Sequence, residues 1–290
     1  MVSSCPKCDS EGRSGSSFRR FGFYFRTEDR KRIQRYQCRL CRLTVSPSSF
    51  SPWCGQKKRL INEEARVLLS NGVSLRSTAE ILQVDRKTID RKLEAIGYHC
   101  ASELSRLNRK RPLAHAIEFD DLETFELTKC LPIAVTLAVE SRTRFILGIE
   151  VSSMPAKGML VEKAKKYGSR LDGRRDARCR LFISLKDLVA EDVVIKSDAN
   201  PHYPIDVARH FPKARHIRYP GRKSSLGGQG ELKKTVFDPI FSLNHTCAMA
   251  RYKTSRLIRK TWCTTKRMER LWLHLMIFAY SHNQRLEAAN

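Results

Sequence analysis

Ala116-Ile117-Glu118-Phe119-Asp120-Asp121 is an apolar, strand-like run that closes on carboxylates, and Val193-Val194-Ile195-Lys196-Ser197-Asp198 repeats the arrangement downstream. The chain carries a formal net charge of +25, so it attracts anions without any help from acidic groups. Aspartates fixed at or just past the ends of two strands therefore point to a bound metal acting on a polyanion, which is the setting of phosphoryl transfer. Asp120 is the candidate in the first run, with Asp121 its rival, and Asp198 the candidate in the second.

Around these runs the pattern is one of strands, then alternation. Strands are predicted over 115–125, 131–139 and 143–151, the last two joined by a tight turn at Glu140-Ser141-Arg142, which makes a meander. Helices are predicted over 156–167 and 178–188, ahead of the strand that ends near Asp198. Helix followed by strand gives a mixed α/β sheet. One more helix and strand fit 204–211 and 214–219. The segment 221–230 combines four glycines with Arg222 and Lys223, and reads either as a basic loop closing over DNA or as an idle surface loop. A late helix begins near Asp238-Pro239, with proline suited to the first turn, and another spans 266–285 with Leu271, Leu275 and Phe278 on its apolar side.

The first third of the chain reads differently. Cys5-Pro6-Lys7-Cys8 and Cys38-Arg39-Leu40-Cys41 flank a strand-like segment in which Phe21, Phe23 and Phe25 alternate. Two such pairs can close a tetrahedral structural zinc site, and the metal replaces a core that so short a segment cannot build; redox chemistry is the competing reading. Arg19, Arg20, Tyr24 and Arg26 either touch DNA or solvate and pack this ribbon. From about residue 61 to 96 the pattern is helical. Ala65, Leu68 and Leu69 share a face before a break at Asn71-Gly72, Ser74 can cap a second helix, and Asp85 a third with Ile89 and Leu93 inward. That rhythm is a helix-turn-helix, which places Arg86, Lys87, Thr88 and Arg91 near the outer side of a recognition helix; a solvated packing module is the alternative. The Arg- and Lys-rich stretch 102–112 reads as a linker.

Lys and Arg number 55 against 30 Asp and Glu, a surplus spread along the chain, so the expected partner is nucleic acid. No apolar run approaches a membrane span and the first residues lack a signal-peptide core, which places the protein in the cytoplasm with no membrane association. The remaining six cysteines, Cys54, Cys100, Cys130, Cys179, Cys247 and Cys263, are scattered and read as buried hydrophobes or free thiols.

Taken together, Glu118-Phe119-Asp120-Asp121, Ser197-Asp198-Ala199, and Leu243-Asn244-His245 with Arg251 on the same helix, behind a ribbon and a helical reader, resemble bacterial insertion-sequence transposases with an RNase H-like catalytic core. Such enzymes generally carry an Asp-Asp-Glu triad, the glutamate on a late helix with a basic residue two turns on. Asn244 and Arg251 take those places, asparagine standing where glutamate is usual, as it does in some related transposases. The resemblance implies a multidomain protein: a zinc ribbon over 1–50, a helix-turn-helix over 58–98 and an α/β RNase H-like core over 113–290. It implies an enzyme that binds double-stranded element ends and target as a homo-oligomer. Asp120, Asp198 and Asn244 would hold Mg2+ or Mn2+ for cleavage and strand transfer, while Arg251 and Arg256, in a run with Lys253, Arg259 and Lys260, would contact phosphate. Glu123, Glu231 or Asp238 either supplement Asn244 or are solvated carboxylates, and Trp262 either packs or stacks on a base. A DNA-binding regulator without catalysis, or a nuclease without strand transfer, are the alternatives.

Overall fold

Two compact units divide the chain, Met1–Ala65 and Arg66–Asn290. The structure, a computed structural model, describes residues 5–12, 15, 17–220, 238–257 and 263–289. The glycine-rich segment at 221–230, with Glu231, Arg259, Lys260 and Trp262, lies outside the described residues.

In the first unit a short helix α1 (Pro6–Ser10) starts on a proline directly after Cys5. It precedes an antiparallel sheet of β1 (Phe18–Arg26), β2 (Lys31–Cys38) and β3 (Thr44–Val45). The β1–β2 register shifts between Arg20 and Phe23, where Gly22 takes a φ of +69°, a bulge that only glycine enters without strain. Cys5, Cys8 and Cys38 are fully buried, with Phe18, Cys41 and Leu43 packed against them, so sulfur occupies the place of an apolar core.

Helix α2 (Asn62–Ser70) crosses the division between the units. Then come α3 (Leu75–Ile81), capped by the Ser74 hydroxyl accepting from the Ser77 amide, and α4 (Arg86–Arg109), capped by Asp85 accepting from the Lys87 amide. Both caps fall where the sequence puts them, and Ile89 and Leu93 are buried as expected. The linker expected over 102–112 is corrected: α4 continues to Arg109. The reason is burial of Leu104 and Asn108, the latter donating its amide to the carbonyls of Ile146 and Leu147. Helix α4 and the sheet that follows belong to one compact unit.

That sheet has five strands in the order β6-β5-β4-β7-β8. Strands β4 (Ala114–Phe125), β5 (Pro132–Glu140) and β6 (Ile146–Ser153) form the antiparallel meander. Helices α5 (Leu160–Ala164) and α6 (Arg174–Leu185) then lead to β7 (Val189–Asp198), which lies parallel to β4. Helix α7 (Tyr203–His210) leads to β8 (Arg215–Tyr219), parallel to β7. Helices α8 (Phe241–Lys253) and α9 (Met268–Ala289) complete the fold. The molecule is thus mixed α/β, and among the described residues no helix is long and apolar enough to cross a membrane.

Alternation along β4 separates two chemistries. Ile117 and Phe119 point to the apolar cluster, where Phe119 meets Phe182 of α6 edge-on and the ring of Tyr203. Glu118 and Asp120 point the other way, toward α8. Asp120 is therefore in mid-strand and not at a strand end, because β4 runs on to pair with β5 as far as Phe125. Asp198 is the last residue of β7.

On the outer edge of β6, Asn283 of α9 accepts from the Ile146 amide and donates to the Ile146 carbonyl and to Asn108, joining α4, α9 and the sheet through buried amides. Helices α4 and α9 also meet at Gly97, where a Cβ would stand 2.6 Å from Leu273 Cδ2 and 3.1 Å from its Cα. Gly97→Ala is expected to lower stability by about 1–2 kcal/mol despite the helical preference of alanine, since overpacking outweighs propensity here. Urea unfolding of the two proteins measures the difference, and a more stable variant would contradict this packing.

Candidate functional site

The four paired cysteines converge. Cys5 Sγ lies 3.5 Å from Cys41 Sγ and Cys8 Sγ 3.8 Å from Cys38 Sγ, and all four sulfurs lie within 4.8 Å of one another. Tetrahedral zinc with Zn–S bonds of ~2.3 Å sets its sulfurs about 3.8 Å apart, so the arrangement is compatible with a structural zinc site. The amides of Cys41 and Leu40 draw the Cys38 thiol down to about 7, while burial and the adjacent sulfurs push Cys8 up to about 12. A cation among them would turn the crowding into four bonds. Metal analysis of protein purified without chelator is expected to return about one zinc per chain, and Cys8→Ser to reduce it several-fold. Zinc-free wild-type protein would contradict the assignment.

The second cluster lies where β4 and β7 run side by side. Glu118 pairs with Lys196 at the end of the parallel ladder, and beyond it Asp198, the last residue of β7, is close enough to Asp120 to repel its carboxylate. Asp120 is largely buried, and burial followed by repulsion from Asp198 raises its carboxyl from 3.8 to about 7. Two donors fall on a single oxygen: Asp120 Oδ1 accepts from Tyr203 Oη at 2.9 Å and from the Asp121 amide at 2.7 Å. Oδ2 is the oxygen left to offer. Asp198 is held by its own turn, its Oδ1 accepting from the Asn200 amide at 3.0 Å.

Asp121, the rival, is engaged on the opposite face. Its carboxylate accepts from the Thr136 hydroxyl and, at 3.1 Å, from Arg178, which also donates to Asp206 at 2.8 Å. The Arg178 guanidinium sits 5.2 Å from the centre of the Tyr203 ring, under the residue that holds Asp120. Sequence reading missed both. The short connection from Asp198 to α7 was the available signal for Tyr203, because a first-turn side chain points back toward the strand that precedes it.

Helix α8 is fixed to this face by Glu118, whose buried carboxylate accepts the Leu243 amide at 2.9 Å and lies 3.8 Å from Lys196 Nζ. Its first turn is also bound at Ser242, which accepts from the Arg142 amide. The next residue after Leu243 is Asn244. Its Nδ2 donates to Asp238 Oδ2 at 2.8 Å, which leaves the amide oxygen as its acceptor end. One turn on, the Cys247 thiol is pushed up to about 12 by burial and by the Asp120 carboxylate, and Arg251 acts on it in the opposite sense. Asp120 and Arg251 thus each act on Cys247, while Asn244 is on the same helix but bonded to Asp238. Among the described residues the cysteines are the one set of three or more Cys, His, Asp or Glu whose ligand atoms converge, so no acidic triad forms.

The candidate DNA contacts divide. Arg86, Lys87 and Arg91 are exposed on the first turns of α4 and Thr88 is half-buried. Arg256 is half-buried, with its guanidinium donating to the Thr264 carbonyl. Lys253 donates to Asn71 in the turn after α2, and the carbonyl of Lys253 comes within 3.3 Å of where a Gly72 Cβ would stand. Glycine at that turn, with φ +83°, lets α8 and the helical segment close on each other.

No protein-family model matches this chain, and no curated protein sequence matches it.

The raised Asp120 has a consequence for stability. The folded form keeps its proton to higher pH than the unfolded chain, so stability without a bound dication is full below about pH 4 and falls as pH rises through 7. Asp120→Asn is expected to stabilise the protein at pH 8 without added Mg2+, by up to roughly 4 kcal/mol, and to leave it unchanged at pH 4. Thermal unfolding at the two pH values checks the sign.

Proposed function

We propose that this chain is a metal-dependent DNA transposase of the insertion-sequence kind, with an RNase H-like core, a helix-turn-helix formed by α3 and α4, and a zinc ribbon. The observation that carries the reading is the placement of Asp120 and Asp198 side by side on adjacent parallel strands at the centre of the sheet. Two carboxylates forced together in a buried setting favour a dication over solvent. Further support comes from the strand order, which resembles that of RNase H-like proteins, and from α8, which carries Asn244 and Arg251 across the same face.

The donors are all oxygen, which suits Mg2+ or Mn2+: Asp120 through Oδ2, Asp198, and the amide oxygen of Asn244. When bound, the cations supply positive charge to an attacking water or DNA 3′-hydroxyl and to the leaving oxygen. The rest falls to the protein. Tyr203 and the Asp121 amide hold Asp120 in one orientation, Asp238 orients the Asn244 amide, and Arg251 neutralises phosphate beside the carboxylates. Arg86, Lys87 and Arg91 reach the duplex from the start of α4, with a strong salt dependence.

The Asn244–Asp238 bond favours a second reading, a DNA-binding regulator in which that side chain has lost its catalytic task. A cleavage assay on DNA carrying the element's ends decides between them. Wild-type protein with Mg2+ or Mn2+ is expected to nick the ends and join them to a target plasmid, Asp198→Asn to abolish both steps, and Asn244→Ala to reduce them more than Asp238→Ala. Binding without nicking would support the regulator, and nicking without joining a simple nuclease.

A further inference from the structure

The hairpin of the first unit has one face covered and the other bare over its outer end, from Phe23 to Arg26. On the covered side, Tyr24 is opposite Ile33, and its hydroxyl is drawn to Ser48 and Ser46. Arg26, also on that side, is held by Asp29 and Ser48. The segment Pro47–Phe50 thus closes over this face. On the other side, Phe25 stands opposite Arg32, Phe23 opposite Gln34 and Arg20 opposite Tyr36. Phe23 and Phe25 are 47% and 61% exposed, and Arg20 and Arg32 are both exposed. The Arg32 guanidinium lies over the Phe23 ring, 3.9 Å from its centre. The bulge at Gly22 puts Arg20 on the same side as the two rings. In a unit this small the sulfur cluster takes the place of a core, and these rings lie outside it.

We propose that this face binds an unpaired nucleic-acid strand, with bases stacked on Phe23 and Phe25 and phosphates at Arg20 and Arg32. Same-face residues on a strand stand about 7 Å apart, a spacing that an extended single strand can match base by base and a stacked duplex cannot. Charge chooses the occupant: a second copy of the chain would bring the same arginines against these, whereas a phosphate backbone complements them. The site is separate from the duplex contacts on α4 and takes no part in cleavage, so its failure would leave the transposase reading intact.

The test uses the full chain and fluorescence anisotropy with a labelled unpaired oligonucleotide and a duplex of equal length. Phe23→Ala and Phe25→Ala are each expected to weaken the unpaired strand between about five-fold and a hundred-fold while duplex affinity stays within two-fold. Phe21→Ala, a ring 39% exposed on the opposite face beside Arg19 and Arg35, tests the choice of face: it should change neither, and a loss equal to that at Phe23 would overturn the proposal. Retained zinc in every variant shows that the ribbon is folded. Unchanged binding of the unpaired strand, equal losses on strand and duplex, or a shift in oligomeric state in place of a binding loss would each overturn the proposal.

Discussion

One buried carboxylate sets the geometry of the second unit. Glu118 is enclosed between β4 and α8 and receives the amide of Leu243, one of the amides that a helix leaves unpaired in its first turn. The bond satisfies an otherwise unpaired donor and places negative charge at the positive end of the helix. It also ties a strand residue two positions before Asp120 to a helix residue one position before Asn244, so the candidate acid and the candidate amide are fixed by the same contact. Lys196, Glu118's partner across the ladder, reaches the Pro239 carbonyl at 3.4 Å and secures the approach to that helix.

Against this frame the pair Asp120–Asp198 is held in conflict. Burial and like charge make the site uncomfortable for two ionised carboxylates, and the surrounding structure prevents either from turning away. Tyr203 and the Asp121 amide hold one, the Asn200 amide the other, and beneath Tyr203 the Arg178 bridge between Asp121 and Asp206 keeps the ring in place. Two adjacent aspartates thus have opposite tasks. Asp121 is spent on packing electrostatics, and Asp120 is left with one oxygen free. Strand alternation alone accounts for the division, since successive side chains on β4 leave by opposite faces.

Most of the secondary structure was legible because it rests on local chemistry. The caps at Ser74 and Asp85, the break at Asn71-Gly72 and the period-two pattern of the meander are properties of a few neighbouring residues. The cysteine spacing similarly announced a shared centre. What escaped depended on distant partners. Nothing near 102–112 shows that Asn108 will be drawn into a buried amide network with Asn283, so a basic stretch read as a linker became the end of α4. The roles of Glu118, Tyr203 and Arg178 come from tertiary proximity alone.

The amide clamp on β6 also bears on how the protein behaves in a crowded solution. An edge strand with free amides and carbonyls is a template for any other extended chain, including a partly folded copy of itself. At the start of β6 those groups are already taken by Asn108 and Asn283, side chains carried on two helices that must both be folded for the clamp to exist. Resistance to strand-to-strand aggregation at this edge is therefore acquired only when α4 and α9 have docked, and is lost if either helix lets go.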